Sequence, residues 1–370
     1  MNKDTNHSRP IDLKDIGWDP FFQKNFQTLK IPGSVPARVI SDFKNVFQVY
    51  GELGELPAKV SGRMRHLAET EKQYPAVGDW VVVKPLNNEQ KAVIHALLPR
   101  KSKFSRKVAG ERTEEQVISA NIDTVFIVSG MDGGRNFNLR RIERYLTLAW
   151  GSGATPVVVL NKIDLCADID LPIHEVETIA PGLAILPVSA KELIGLDALR
   201  NYLGKGKTAA FLGSSGVGKS ALINSLLGSE KQKTGEVRED DRTGRHTTTK
   251  RELIILPGGG MVIDTPGMRE IQMWAGEEDL HTAFHDIEML GNQCRFSDCS
   301  HNSESGCAVK AAIDQGALDP SRLESYWKLK KELDYLAYRE ENSSRVYEKL
   351  RWKKVAKLVK EIKHNPKHQL

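Results

Sequence analysis

The sequence predicts a multidomain fold: an N-terminal OB-type β-barrel, a central α/β domain built on a phosphate-binding loop, and a C-terminal zinc-binding helical region. Three observations predict it. Five short stretches within residues 37–106 alternate apolar and polar side chains between turns. After Ser119 the rhythm changes to apolar strand-like runs separated by helical patterns, the grammar of a parallel sheet covered by helices. Three cysteines and a histidine then crowd into residues 294–307. The expected divisions are an extension over 1–36, a barrel over 37–106, the α/β domain over 107–285 and the C-terminal domain over 286–370.

The composition, 40% hydrophobic and 27% charged over 370 residues, is that of a soluble globular protein of two or three domains. No apolar run approaches the roughly 20 residues of a membrane span. The first residues lack the apolar core of a signal peptide, so a cytoplasmic protein with no membrane partner is expected. The net charge of +5 is unevenly spread: residues 37–107 carry a net +6 and residues 345–370 a net +7, around a central stretch, 108–344, of −9. Basic flanks on an acidic centre point to contact with a polyanion.

The extension is polar apart from Trp18, Phe21, Phe22 and Phe26, which are expected to dock on a neighbouring domain. In the barrel, strand patterns run from Ala37, Asn45, Ala58, Gly78 and Lys91, the third read as Ala58 to Arg65. Five strands in so short a segment suit an oligonucleotide-binding barrel. Lys59, Arg63, Arg65, Lys84, Arg100, Lys101, Lys103 and Arg106 supply its cations. In the α/β domain, strands are expected at Thr124–Ser129, Pro156–Leu160 and Ala184–Val188, with a helix from Asn138 to Trp150. Function belongs at the carboxyl ends of such strands.

Gly213-Ser214-Ser215-Gly216-Val217-Gly218-Lys219-Ser220 fits G-x-x-x-x-G-K-[ST], between an apolar strand (Thr208 to Leu212) and an apolar helix (Ala221 to Leu227). That context gives the motif meaning: glycines turn backbone N–H groups onto phosphates, Lys219 reaches the β and γ oxygens, and Ser220 meets Mg²⁺. Asn161-Lys162-Ile163-Asp164 closes another strand and matches N-K-x-D. A carboxylate at Asp164 accepts from both guanine N1 and its 2-amino group, whereas adenine leaves it unpaired. Ser189-Ala190-Lys191 resembles the S-A-K loop that completes a guanine pocket. Beyond the phosphate loop, the polar stretch 231–250 suits a switch that orders on nucleotide and Mg²⁺. Thr248, with Thr247 as alternative, is the expected Mg²⁺ ligand there. Asp264-Thr265-Pro266-Gly267 follows a strand; Asp264 would hold Mg²⁺ through water and the Gly267 N–H would sense the γ-phosphate. Position 268 is Met, which cannot orient a water, so His246 is the candidate for that role.

N-K-x-D and S-A-K therefore precede the phosphate loop, the reverse of the usual order, which marks a circularly permuted GTPase domain. The permutation leads the Asp264 switch straight into Cys294-x4-Cys299-x-His301-x5-Cys307, a tetrahedral donor set with no open position, read as one structural Zn²⁺ per chain. Cys166 is read as packing. From Pro320 the chain is helical: Tyr326, Leu329, Leu333 and Leu336 form one stripe, Val355, Val359 and Ile362 another, and Lys353, Lys357 and Lys360 a basic face. Such a face suits RNA, an acidic protein or a membrane surface; with the basic barrel it favours RNA.

A basic barrel, a permuted GTPase and this zinc loop, in this order over roughly residues 37–340, resemble the ribosome small-subunit-dependent GTPase A family (RsgA/YjeQ). The resemblance implies a bacterial cytoplasmic GTPase that binds the small ribosomal subunit and its rRNA, assists late maturation, and is stimulated by that subunit. The family's nucleotide residues fall on Asn161 to Asp164, on Gly213 to Ser220 with Ala221, and on Asp264 to Gly267. Its zinc ligands fall on Cys294, Cys299, His301 and Cys307. A monomer is expected. Two other readings stay open: a GTP-dependent factor for a different ribonucleoprotein, and a non-enzymatic RNA-binding adaptor.

Overall fold

The computed structural model describes residues 11–43, 46–67, 74–86, 89–107, 115–133, 136–228, 251–264, 277–302, 304–335 and 338. A short 3-10 turn (Leu13–Ile16) leads to helix α1 (Pro20–Leu29). Asp19 caps α1 by accepting from the Phe21 and Phe22 N–H groups, and Pro20 presets the first turn. The aromatics dock as the sequence suggests: Trp18 packs edge-on against Trp80, ring centroids 4.7 Å apart, and Phe22 lies 5.8 Å from the same ring. Phe26 packs edge-on to Trp18. Phe21 stays exposed, with Lys101 Nζ 5.5 Å from its ring.

Five strands form the barrel: β1 (Val35–Phe43), β2 (Val46–Gly51), β3 (Gly54–Val60), β4 (Trp80–Pro85) and β5 (Ala92–Leu97). Their order is β1-β2-β3-β5-β4, with β4 closing onto β1. The one parallel pair among them is β3 with β5. The third strand differs from the sequence reading. It starts at Gly54 and stops at Val60, and residues assigned to its end form helix α2 (Gly62–Leu67). Ser61 is the reason: its Oγ accepts from the Met64 N–H at 3.1 Å and its carbonyl from the Arg65 N–H at 2.9 Å, an N-cap that outweighs the β alternation.

A hairpin of β6 (Lys103–Lys107) and β7 (Glu115–Ala120), which the sequence pattern did not suggest, leads into the α/β domain. This domain contains β8 (Thr124–Gly130), α3 (Leu139–Ser152), β9 (Thr155–Asn161), α4 (Asp170–Ile179), β10 (Ile185–Val188) and α5 (Leu196–Arg200). It continues with β11 (Thr208–Leu212), α6 (Lys219–Leu227), β12 (Arg251–Ile255) and β13 (Met261–Asp264). The sheet order is β10-β9-β8-β11-β13-β12, parallel except at β12. β8 and β11 are buried at every position, which explains their unbroken apolar runs. Helices α7 (Glu277–Ala283), α8 (His285–Gly291), α9 (Ala308–Asp314) and α10 (320–335) complete the described chain. Tyr326, Leu329 and Leu333 are buried on α10 as their spacing predicts; Leu336 and the residues from 339 onward lie outside the described residues.

Barrel and α/β sheet are one hydrogen-bonded surface. Strand β1 pairs with β4 through Val35 to Arg38, then shifts register between Val39 and Ser41, and pairs with β12 through Ser41 and Asp42. The irregularity bends one strand from a closed barrel into an open sheet. Arg38 sits at this junction, 1% exposed. It donates to the carbonyls of Ile16 (2.6 Å), Gly78 (3.2 Å) and Asn121 (2.9 Å), and so binds the extension, barrel and α/β domain together. Burial lowers its pKa to about 10, while Asp123 and Asp79 hold it charged. Replacing Arg38 with Ala leaves those carbonyls unpaired, and we expect a loss on the order of 3 kcal/mol. The denaturant midpoint, read by tryptophan fluorescence because Trp80 lies beside Arg38, checks this.

Candidate functional site

The carboxyl ends of β8, β9, β10, β11 and β13 all face one edge of the sheet, because these strands are parallel. Each delivers a segment there: residues 131–133 with 136–138, Asn161 to Asp164, Ser189 to Lys191, Gly213 to Ser220, and Asp264. Five segments separated in sequence thus face one edge, irrespective of the permuted order.

Asn161 joins three of them. Its side chain is buried, its Nδ2 donates to the Val217 carbonyl at 2.8 Å, and its Oδ1 accepts from the Ala190 N–H at 3.1 Å. The approach requires glycine opposite: at Gly218, φ is +94° and an added Cβ would lie 2.2 Å from Asn161 Nδ2. Gly213 is constrained likewise, since a Cβ there would meet the Val128 carbonyl at 2.5 Å. Lys219 and Ser220 open α6, and Lys219 Nζ donates to the Gly213 and Ser214 carbonyls, 2.6 Å each, which holds it across the loop. Ser215 is exposed, Gly216 adopts φ +81°, and Ala221 packs on the core behind.

The residues expected to read the base lie together. Ser189 Oγ donates to Asp164 Oδ1 at 2.6 Å and accepts from the Glu192 N–H at 3.0 Å. Asp164 is exposed at the rim beside half-buried Ile163. Ala190 is further fixed by its carbonyl, which accepts from Ser225 Oγ on α6 at 3.1 Å. Lys191 is exposed and pairs with Glu192. Lys162, in the left-handed region at φ +66°, donates to Asp132 Oδ2 at 2.5 Å. Burial alone would raise the Asp132 pKa, but the bonds from Lys162 and Asn136 outweigh it and leave the carboxyl below its usual range. Asp132 escaped the sequence reading, although its place just after an apolar strand end was the available signal. Arg141 escaped it too: from the first turn of α3 its Nη1 donates to Ser214 Oγ at 3.0 Å. Asp264 ends β13, while His246, Thr247, Thr248 and Gly267 lie outside the described residues.

Cys294, Cys299, His301 and Cys307 converge, with their ligand atoms all within 4.8 Å of one another, and this cluster could hold a metal ion. Cys294 Sγ is 3.9 Å from Cys307 Sγ, and these sulfurs lie 3.6 and 3.5 Å from His301 Nδ1. A tetrahedral ion with bonds of about 2.3 Å to sulfur and 2.0 Å to nitrogen sets those edges at about 3.8 and 3.5 Å, so the set fits. The first turn of α9 supports it: the Ala308 N–H donates to Cys294 Sγ at 3.4 Å and the Lys310 N–H to Cys307 Sγ at 3.5 Å. Desolvation and the two neighbouring thiols, Cys307 and Cys294, push Cys299 up to about 11. Cys166 stands apart.

The barrel cations divide. Arg100 grips buried Asp79 at 2.8 and 2.7 Å, Lys101 pairs with Asp19, and Lys103 pairs with Glu115 at 2.6 Å. Lys59, Arg63 and Arg65, on β3 and α2, remain exposed.

Residues 97–274 match the family model described as RsgA GTPase. The chain is 46% identical over 355 residues to the small ribosomal subunit biogenesis GTPase RsgA of Opitutus terrae, covering 93% of this chain and 96% of that protein. It is 48% identical over 303 residues to the protein of that name from Xylella fastidiosa, covering 80% and 85%. Among solved structures, YjeQ from Thermotoga maritima matches at 30% identity with a TM-score of 0.61, over 81% of this chain and 98% of that one. YloQ, titled a circularly permuted GTPase, shares the fold at 23% identity, with a TM-score of 0.57 over 81% and 95%.

Two outcomes follow from the geometry. Asn161→Ala removes two hydrogen bonds that set one loop against another, and should weaken guanine-nucleotide affinity by roughly 10- to 100-fold at about 1 kcal/mol or more per bond. Titration with fluorescent GDP measures it. Metal chelation should loosen the C-terminal region while sparing the barrel, read as faster amide exchange confined to residues around 291–314.

Proposed function

From membership of the RsgA GTPase family, to which this chain belongs, we propose that the protein hydrolyses GTP while bound to the small ribosomal subunit and assists the late maturation of that subunit. The observation that carries the reading is the closure around Asn161. One buried amide sets the guanine-reading loops against the phosphate loop, on a sheet continuous with a basic-flanked barrel.

In this reading Asp164 accepts from guanine N1 and the 2-amino group, Ser189 orients that carboxylate, and Lys162 and Ile163 flank the base with Ala190 and Lys191. The backbone of Gly213 to Gly218 cradles the phosphates, and Lys219 leaves its carbonyl partners for the β and γ oxygens. Ser220 and a switch threonine, Thr248, would hold Mg²⁺, with Asp264 reaching it through water. Bound there, Mg²⁺ would supply positive charge to offset the negative charge developing on the transferred phosphoryl oxygens. The Gly267 N–H reads the γ-phosphate. His246 orients the attacking water, because Met268 cannot.

The cysteine–histidine cluster holds one Zn²⁺ as a closed structural site: all four positions are protein donors, so none is left for substrate. Lys59, Arg63 and Arg65, with the basic segment 345–370, meet rRNA phosphates. The chain divides near residues 36, 106 and 285 into extension, barrel, GTPase and zinc domain. Among the described residues no helix is long and apolar enough to cross a membrane; the partner's location makes the protein cytoplasmic, and it acts as a monomer.

GTP turnover measured with purified small subunits, large subunits and neither, across a salt series, tests the proposal. Small subunits should stimulate hydrolysis, and the stimulation should fade steeply with salt as phosphate contacts weaken. Stimulation by large subunits alone would overturn it. His246→Ala should lower kcat at least tenfold with nucleotide affinity kept; an unchanged kcat removes His246 from the mechanism.

A further inference from the structure

Helix α3 touches the phosphate loop on one face and the C-terminal region on another. Asn138 caps it, accepting from the Arg141 N–H at 3.0 Å, and so fixes its first turn beside the loop. Arg141 Nη1 then donates to Ser214 Oγ, the side chain that follows the first loop glycine, at 3.0 Å. Residues 140, 143 and 144 share a different face, because positions three and four apart line up along a helix. Every one of them is held by the C-terminal region. Glu143, 1% exposed, accepts from Arg322 Nη1 at 2.7 Å and from Arg140 Nη1 at 3.0 Å. Arg144 forks onto Glu332 at 2.9 and 2.7 Å, and Arg140 donates to Ser321. Arg322 in turn binds Asp286 at 2.8 Å and the Ala283 carbonyl at 3.1 Å. Those residues lie on α8 and just before it, and α8 runs directly into the Cys294 cluster.

We propose that Arg141 is a positioning residue for nucleotide binding, and that α3 carries the docked state of the C-terminal region to it. The inference rests on Gly213 to Ser220 being the phosphate loop. A helix is stiff over three turns, so when ion pairs clamp one face they fix the axial position and rotation of the other. Arg141 reaches Ser214 only while that position holds. Arg141 also places a permanent positive charge next to the loop that receives a polyanion. Docking of α8 and α10 on α3 therefore raises nucleotide affinity, and nucleotide must tighten that docking by the same factor. This route is separate from the chain connection through residues 265–276.

Steady-state kinetics and fluorescent-GDP titration on the full-length chain test the idea. Arg141→Ala should raise KM for GTP and Kd for GDP about tenfold, the scale of one charge-assisted hydrogen bond, with kcat within about twofold. Ser214→Ala should reproduce part of this, and the double variant should be no worse than Arg141→Ala. Glu143 is too buried for its replacement to separate coupling from unfolding, so the half-exposed Arg144–Glu332 pair serves instead. Arg144→Glu touches no part of the phosphate loop, yet should raise KM several-fold, and adding Glu332→Arg should restore it. Amide exchange of residues 320–335 verifies that the contact was broken and regained. A wild-type KM in Arg144→Glu with α10 exchanging faster overturns the coupling. Additive effects of Arg141→Ala and Ser214→Ala, or a loss in kcat in place of KM, overturn the positioning role. Absence of GTP turnover in the unaltered protein would instead count against the GTPase reading itself.

Discussion

The bonds made by the Asn161 side chain are the constraint on which the site depends. A single amide at the end of β9 accepts from one loop and donates to another, and it is buried, so neither bond competes with water. Its position is possible because Gly218 has no side chain to fill the same space. The strands need only be parallel and adjacent for this closure; the order in which the chain visits them is immaterial. That is the physical reason a permuted sequence can build the same pocket: β9 and β10 come before β11 in the chain, yet their carboxyl ends meet at one edge.

Much of this was legible in the residues themselves. The phosphate loop, Asn161 to Asp164, Ser189 to Lys191 and the Cys294 to Cys307 donors are local motifs, and locality is what a sequence states directly. Strands β8, β9 and β11 were equally plain, because burial on both faces writes an apolar run. Most of what escaped reading depends on contacts between distant residues. The pairing of Lys162 with Asp132 spans 30 positions and that of Arg141 with Ser214 spans 73. The helix beginning at Gly62 was misread as strand because Ala58 to Arg65 alternates well enough to hide the cap at Ser61. Arg38 was read only as part of the strand pattern from Ala37, whereas three carbonyls from three segments make it a buried pin.

The charge reading sharpened in the same way. A net excess of lysine and arginine suggested a broad polyanion-binding surface, yet Arg100, Lys101 and Lys103 are engaged with carboxylates of their own chain. Their role is to fasten the barrel, the extension and the hairpin together. Among the described residues, Lys59, Arg63 and Arg65 face outward on β3 and α2, and Arg106 does so on β6, where it donates to the neutral Gln116. Counting charges located the flank that carries the excess; only the pairing shows which of them remain for a partner.

The ladder between β1 and β12 has a consequence for how the chain can be divided. Sequence motifs suggest cutting near residue 107 to isolate a catalytic piece, but β12 would then lose Ser41 and Asp42 and present a bare strand edge. Bare edges recruit other strands, so such a fragment is prone to aggregate however intact its motifs are. Strand β1 serves as both the first stave of the barrel and the outer rail of the sheet, and the smallest piece able to stand alone must keep it.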